Sequence, residues 1–172
     1  SLSANWMWPA KNTGENARLY NAVDAISNFS QKLEINISTG KDSLSMTQKY
    51  PDGKTVYAPG TVIVSAAGEV SDITKTVTPT LKNDTNSTLI YIPFTKNSFE
   101  LGGSSFAQAI NQVGDTTPDV SDPEYFKTAF NAVQELVNKS LLLAGHDIGS
   151  GGLITTLMEM AFTDNVTGID VN

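Results

Sequence analysis

Ala144-Gly145-His146-Asp147-Ile148-Gly149-Ser150-Gly151-Gly152-Leu153 is the stretch on which the reading of this chain turns. It is a short glycine-rich turn, and it holds the chain's single histidine with an aspartate beside it. Phe126, Ala129, Phe130, Val133, Leu136, Val137 and Leu141 lead towards it at helical spacing, and an apolar helical run over 154–162 follows. Two readings fit. As punctuation, the glycines reverse the chain between two helices. As a site, the turn aims backbone N–H groups and the positive end of a helix at a phosphate. Asp147 would then supply an oxygen to the magnesium that travels with a nucleoside triphosphate. His146 at a helix–loop junction reads as a structural hydrogen-bonding group. A general base would need a reactive proton within about 3 Å, and no Ser–His–Asp spacing accompanies it.

The chain has 172 residues, 40% of them hydrophobic and 17% charged. This describes a globular protein of one domain or two small ones, long enough to bury a core. The net charge of −7 argues against a nucleic-acid or anionic-membrane surface, which would need basic patches. It does not exclude a nucleotide held by backbone amides and magnesium. With no cysteine, disulfides, zinc–thiolate sites and a cysteine nucleophile are absent. No apolar run approaches the roughly 20 residues of a membrane helix, and no signal peptide is visible, so a cytoplasmic location is expected. The chain starts on Ser1-Leu2-Ser3-Ala4 without methionine and stops on Ile169-Asp170-Val171-Asn172 as a strand-like alternation begins. Both ends read as cuts in a longer protein.

Residues 2–8 read as a strand stopped by Pro9. Asn12-Thr13-Gly14-Glu15 offers capping chemistry for an amphipathic helix over 15–33. Ile35-Asn36-Ile37 alternates like a strand and runs into Gly40-Lys41-Asp42-Ser43. That string is either a strand-to-loop contact for phosphate or magnesium, or a turn carrying a surface Lys–Asp pair. It is not a Walker A loop, because Ile35 stands where the upstream glycine belongs. Residues 44–50 and 55–58 form a hairpin about Pro51-Asp52-Gly53-Lys54, and the apolar run 61–70 reads as a central strand. The polar stretch 71–87 is the linker candidate. A boundary near 75–87 divides the chain into 1–80 and 81–172. Beyond it come a strand over 88–94 and Leu101-Gly102-Gly103-Ser104-Ser105. This loop is read either as an anion-binding turn or as a serine cap. It opens a helix whose face holds Phe106, Ala109, Ile110 and Val113. Asp122-Pro123 starts a further helix, expected to run to about Leu143.

Leu2-Ser3-Ala4-Asn5-Trp6-Met7, Gly14-Glu15, Leu19-Tyr20, Gly40-Lys41-Asp42-Ser43-Leu44-Ser45-Met46, Leu101-Gly102-Gly103-Ser104, and His146-Asp147 through Gly151-Gly152-Leu153 with Glu159-Met160-Ala161 come in this order. Together they strongly resemble the phosphoribosylformylglycinamidine synthase family, in its large single-chain form. The resemblance covers essentially the whole chain. It implies an α+β (α/β sandwich-like) fold, an aminoimidazole-ribonucleotide-synthetase-like unit. Residues 1–80 would end its N-terminal α/β domain and 81–172 would begin its C-terminal α+β domain, in the second of two such repeats. It implies an ATP-dependent amidoligase acting on formylglycinamide ribonucleotide, with ammonia from a glutaminase domain in the same chain. Mg2+ and ATP or ADP are the implied cofactors. Asp147 matches a magnesium ligand of an auxiliary, structural nucleotide site. Gly149 and Ser150 fall on its nucleotide contacts, where the family has serine and aspartate. Gly40, Lys41, Asp42 and Ser43 match a loop facing the nucleotide and substrate cleft. No catalytic residue is implied, and the segment is expected to be inactive alone. The alternatives are a non-catalytic nucleotide-binding module, or a related ATP-using synthetase or kinase. Neither nucleic acid nor membrane is expected as a partner.

Overall fold

The computed structural model describes residues 1–94, 100–162 and 169–170. The chain divides into two compact units, Ser1–Ser71 and Asp72–Asn172. The stretch 75–87, where a boundary was expected, lies within the second unit.

The first unit contains β1 (Leu2–Met7), α1 (Glu15–Lys32), β2 (Ile37–Ser43), β3 (Thr47–Lys49), β4 (Thr55–Tyr57) and β5 (Thr61–Ala66). Its three-stranded sheet has the order β2-β1-β5, with β1 parallel to β2 and antiparallel to β5. A parallel pair needs a long crossover, and α1 provides it. The run expected as a central strand is therefore an edge of this sheet, with Ile63 52% and Val64 44% exposed. The centre is β1, which carries the buried Ala4. Short polar strands β3 and β4 pair antiparallel as the hairpin pattern predicts, and Gly53 takes the left-handed turn position at φ 86°. Trp8 is buried against Gly60, where a Cβ would come within 2.5 Å of the indole ring.

Helix α1 starts without a side-chain cap. Gly14 sits at φ 82°, and the Glu15 N–H donates to the Asn12 carbonyl at 3.1 Å. The Asn12 and Thr13 side chains are thus not the caps. Glycine makes the left-handed entry that a side chain resists. The helix stops in a Schellman motif: Glu34 (φ 60°) and Ile35 donate to the Gln31 and Ser30 carbonyls at 3.1 and 3.0 Å.

The second unit holds a 3-10 turn (Ile73–Lys75), α2 (Ser105–Ala109), α3 (Pro123–Asn138) and α4 (Gly152–Ala161). Asp72 caps the 3-10 turn, accepting from the Thr74 hydroxyl at 2.6 Å and the Thr74 N–H at 2.9 Å. These two bonds, helped by Lys75, hold its carboxyl below its ordinary pKa. Asp122 caps α3 by accepting from the Tyr125 N–H at 3.0 Å, with Pro123 in the first turn, as its sequence signal predicts. Helices α2 and α3 end earlier than their apolar stripes suggest. Asn111 (φ 55°) and Ser140 (φ 56°) close each in another Schellman motif, with Gln112 N–H on the Ala107 carbonyl (2.9 Å) and Leu141 N–H on the Leu136 carbonyl (3.0 Å). Helix α3 therefore ends at Asn138, and the Lys75 ammonium caps the Asn138 carbonyl at 2.7 Å.

Residues 88–94 form no strand. A strand needs a neighbouring strand to bond, and neither sheet among the described residues includes this run. Its end is anchored instead by side chains: Tyr125 Oη donates to the Pro93 carbonyl at 2.9 Å, and the Phe94 and Phe126 rings lie 4.9 Å apart. Of the alternation expected at 169–172, positions 171 and 172 lie outside the described residues. The fold is thus mixed helix and strand, in line with the α+β class. Its buried apolar side chains among the described residues are Ala4, Trp8, Ala107 and Met160. Among the described residues Ile90, Phe106, Ile154 and Phe162 remain 60–75% exposed. Periodicity states which residues share a face, and not what covers that face.

Candidate functional site

The 144–152 turn lies in the second unit and is pinned at both ends. On entry, the Gly145 N–H donates to the Thr78 carbonyl at 3.1 Å. On exit, Ser105 bonds Ser150 twice, N–H to carbonyl at 3.0 Å and hydroxyl to hydroxyl at 3.1 Å. The Gly152 N–H closes the turn on the Gly149 carbonyl at 3.0 Å and α4 begins. Thr155 and Thr156 donate their hydroxyls back to the Gly151 and Gly152 carbonyls at 2.9 and 3.1 Å. Between the pins, Asp147 presents a carboxylate whose side chain is 98% exposed.

Each glycine here has its own reason. Gly152 sits at φ 81°, in the left-handed region. A Cβ on Gly151 would come within 2.9 Å of the Thr155 side chain. Gly149 is different: a Cβ there meets nothing within 4 Å. The fold makes no demand for glycine at that position.

His146 lies between the turn and α4. Its Nδ1 is 3.4 Å from Asp147 Oδ1 and its Nε2 is 3.4 Å from Glu159 Oε2. The imidazole thus sits between two carboxylate oxygens, one in the turn and one on α4. Two members of the constellation, Ser105 and Glu159, were not singled out by sequence reasoning. Ser105 follows the serine that was read as a cap, and Glu159 stands in one of the strings that carry the resemblance. Neither spacing shows that it would meet this turn.

Ser104 does cap α2, accepting from the Ala107 N–H at 3.1 Å. That bears out the cap reading of the 101–105 loop. Gly40-Lys41-Asp42-Ser43 is placed differently from expectation. It is strand and not loop, and its residues pair in register with Ala4, Asn5, Trp6 and Met7. The glycine follows from that pairing, because a Cβ on Gly40 would collide with the Ala4 carbonyl oxygen. Alternation puts Lys41 and Ser43 on one face and Asp42 on the other. The Lys41 ammonium accordingly bonds Ser43 Oγ at 2.9 Å and the Asp42 carbonyl at 3.2 Å. The Lys41–Asp42 ion pair of the turn reading is not what forms.

Among the described residues no group of three or more His, Cys, Asp or Glu gathers to hold a metal. Asp147 therefore offers one carboxylate and not a cage. Magnesium takes one or two carboxylates and fills its octahedron with waters and phosphate oxygens. A single open carboxylate fits as a partial donor set of that kind. No helix among the described residues is long and apolar enough to cross a membrane.

Residues 1–69 match the FGAR-AT PurM_N-like domain family, and residues 92–171 match the AIR synthase related protein, C-terminal domain. Three curated relatives align along the chain. The Arabidopsis thaliana protein, named "Probable phosphoribosylformylglycinamidine synthase, chloroplastic/mitochondrial", is 45% identical over 95% of this chain. The Caenorhabditis elegans "Probable phosphoribosylformylglycinamidine synthase" is 40% identical over 99%, and the Homo sapiens phosphoribosylformylglycinamidine synthase 42% over 95%. The chain spans only 12–14% of the length of these relatives. With two domain matches in succession and 40–45% identity along nearly its whole length, the chain is similar to one segment of the proteins named phosphoribosylformylglycinamidine synthase.

Proposed function

We propose that this chain is part of an ATP-dependent amidoligase that makes formylglycinamidine ribonucleotide from formylglycinamide ribonucleotide, glutamine and ATP in de novo purine biosynthesis. The observation that carries this reading is the 40–45% identity along 95–99% of the chain to proteins named for that reaction. The chemistry has a clear need. An amide oxygen is a poor leaving group, so ATP first transfers its γ-phosphoryl group to the formamide oxygen, giving an iminophosphate and ADP. Ammonia then adds to the carbon and phosphate departs. Such a reaction depends on positioning and on stabilising phosphate charge. A glutaminase domain elsewhere in the same protein would release the ammonia.

Within that enzyme, residues 1–80 and 81–172 are assigned to the end of one domain and the start of the next in the second synthetase-like repeat. The segment's own part is the 147–150 turn at an auxiliary nucleotide. Asp147 would hold magnesium, which when bound neutralises polyphosphate charge. Gly149 and Ser150 would approach the nucleotide. The full exposure of Asp147 and the open space at Gly149 support this. Gly40-Lys41-Asp42-Ser43 enters through its side chains, since the sheet already accounts for the glycine. A purely structural nucleotide-binding role for this segment uses the same turn and is compatible with catalysis elsewhere in the protein. A cytoplasmic location is part of the proposal, with the organelles named for the Arabidopsis relative as the alternative that cell fractionation decides.

The test is amidine formation from formylglycinamide ribonucleotide and ATP, with glutamine or ammonia. The full-length protein is expected to turn over and the 172-residue chain alone to show none. No amidine from the full-length protein overturns the assignment. Turnover by the chain alone overturns its role as a partial, supporting segment.

A further inference from the structure

The geometry points to Ser105 as a positioning residue that sets the Ser150 hydroxyl for an anionic oxygen. This rests on the reading of the 147–150 turn as a nucleotide contact. Ser105 lies 45 residues before Ser150 and belongs to a different glycine-rich loop, Leu101-Gly102-Gly103-Ser104-Ser105. It nevertheless makes both of its donor bonds to Ser150: N–H to the carbonyl at 3.0 Å and Oγ–H to Oγ at 3.1 Å. The first bond fixes the backbone of the turn, and the second fixes the side-chain rotamer.

The hydroxyl bond has a chemical direction. A serine hydroxyl has one proton and two acceptor lone pairs. Ser150 Oγ accepts from Ser105, so its own proton remains available to a second acceptor. Chains of hydroxyl bonds polarise one another, and a hydroxyl that accepts becomes a better donor. The Ser105 end is itself steadied. Ser104 beside it caps α2, and the loop is closed by Gly102 N–H to the Thr116 carbonyl at 2.9 Å and Gly103 N–H to the Val113 carbonyl at 2.8 Å. Ser105 is therefore an anchored donor, and Ser150 an oriented one, three residues after the exposed Asp147. An acidic side chain at position 150 could not serve in this way, because a carboxylate donates no proton to phosphate. The occupant implied is a phosphate oxygen of a nucleoside di- or triphosphate.

The experiment measures Mg–ADP affinity of the full-length protein by calorimetry for Ser105→Ala, Ser105→Thr and Ser150→Ala, with unfolding temperature followed in parallel. Ser105→Ala removes the side-chain bond and keeps the main-chain one. A lost hydrogen bond of this kind weakens binding by about fivefold. Ser105→Thr, which keeps the hydroxyl, is expected to stay within about twofold of wild type. A purely structural role would lower the unfolding temperature without this pattern of loss and rescue. Unchanged affinity in Ser105→Ala with a loss in Ser150→Ala overturns the positioning role and leaves the nucleotide reading standing. Unchanged affinity in both overturns both. Should the alanine variant not fold, Ser105→Cys tests the same point. Its thiol is a weaker donor and should weaken Mg–ADP binding, and wild-type affinity in Ser105→Cys overturns the proposal.

Discussion

Gly40-Lys41-Asp42-Ser43 and His146-Asp147-Ile148-Gly149-Ser150-Gly151-Gly152 look alike as sequence. Each joins glycine to an aspartate and a serine, and each admits a phosphate-contact reading. The structure separates them. In the first, the glycine answers to the Ala4 carbonyl across β1, and the lysine answers to Ser43. In the second, hydrogen bonds hold the ends, while Asp147 faces solvent and a Cβ on Gly149 would meet no neighbour. A glycine that the backbone already requires is weak support for a ligand. A glycine for which the fold has no use is stronger support.

Substitution at the two glycines is the most direct way to break this contrast. Gly40→Ala forces a Cβ onto a backbone oxygen and should destabilise the chain by about 3 kcal/mol, the upper range for overpacking. Gly149→Ala should change stability by no more than about 0.5 kcal/mol, as at an unconstrained surface position. Urea unfolding of both variants decides, and equal losses would erase the distinction. Inside the turn, Gly152→Ala should cost about 1–2 kcal/mol, because φ 81° penalises a Cβ. A cost at 152 as small as that at 149 would show that the turn relaxes freely.

Two smaller effects sharpen the picture of how the second unit is built. Ser140 occupies a left-handed helix-ending position without being glycine. Ser140→Gly should therefore stabilise by roughly 1 kcal/mol or less, read as a raised unfolding temperature. Asp72 gives the smallest effect, and it depends on pH. Its pKa is lowered in the folded chain chiefly by the Thr74 hydroxyl bond. The cap is thus fully effective above the ordinary carboxylate value and is lost as pH falls through the lowered folded value. Thermal unfolding should fall less steeply with acid in Asp72→Ala than in wild type. A steeper fall in the variant would reverse the assigned sign.

Elements with a local chemical signature were legible in the sequence. Asp122-Pro123 announced α3, Pro51-Asp52-Gly53-Lys54 announced the β3–β4 hairpin, and Ser104 announced the α2 cap. Elements whose fate depends on distant partners were not. Residues 88–94 have strand composition and no partner strand among the described residues. The run 61–70 reads as central although its pairing with β1 alone makes it an edge. The ends of α2 and α3 were misjudged for a local reason: Asn111 and Ser140 terminate these helices in a conformation usually announced by glycine. At the turn, the glycine cluster and Asp147 could be read, whereas its ties to Ser105, Thr78 and Glu159 span sequence distances that no periodicity encodes.

The central claim is that the turn at Asp147 receives a magnesium nucleotide. Calorimetric titration of Mg–ADP into the full-length protein, wild type against Asp147→Ala, tests it most directly. The account predicts that affinity falls by at least about tenfold in the variant, the loss of one charge-assisted ligand. The unfolding temperature without nucleotide should not change, since the Asp147 side chain is 98% exposed. Nucleotide affinity unchanged by Asp147→Ala would contradict it.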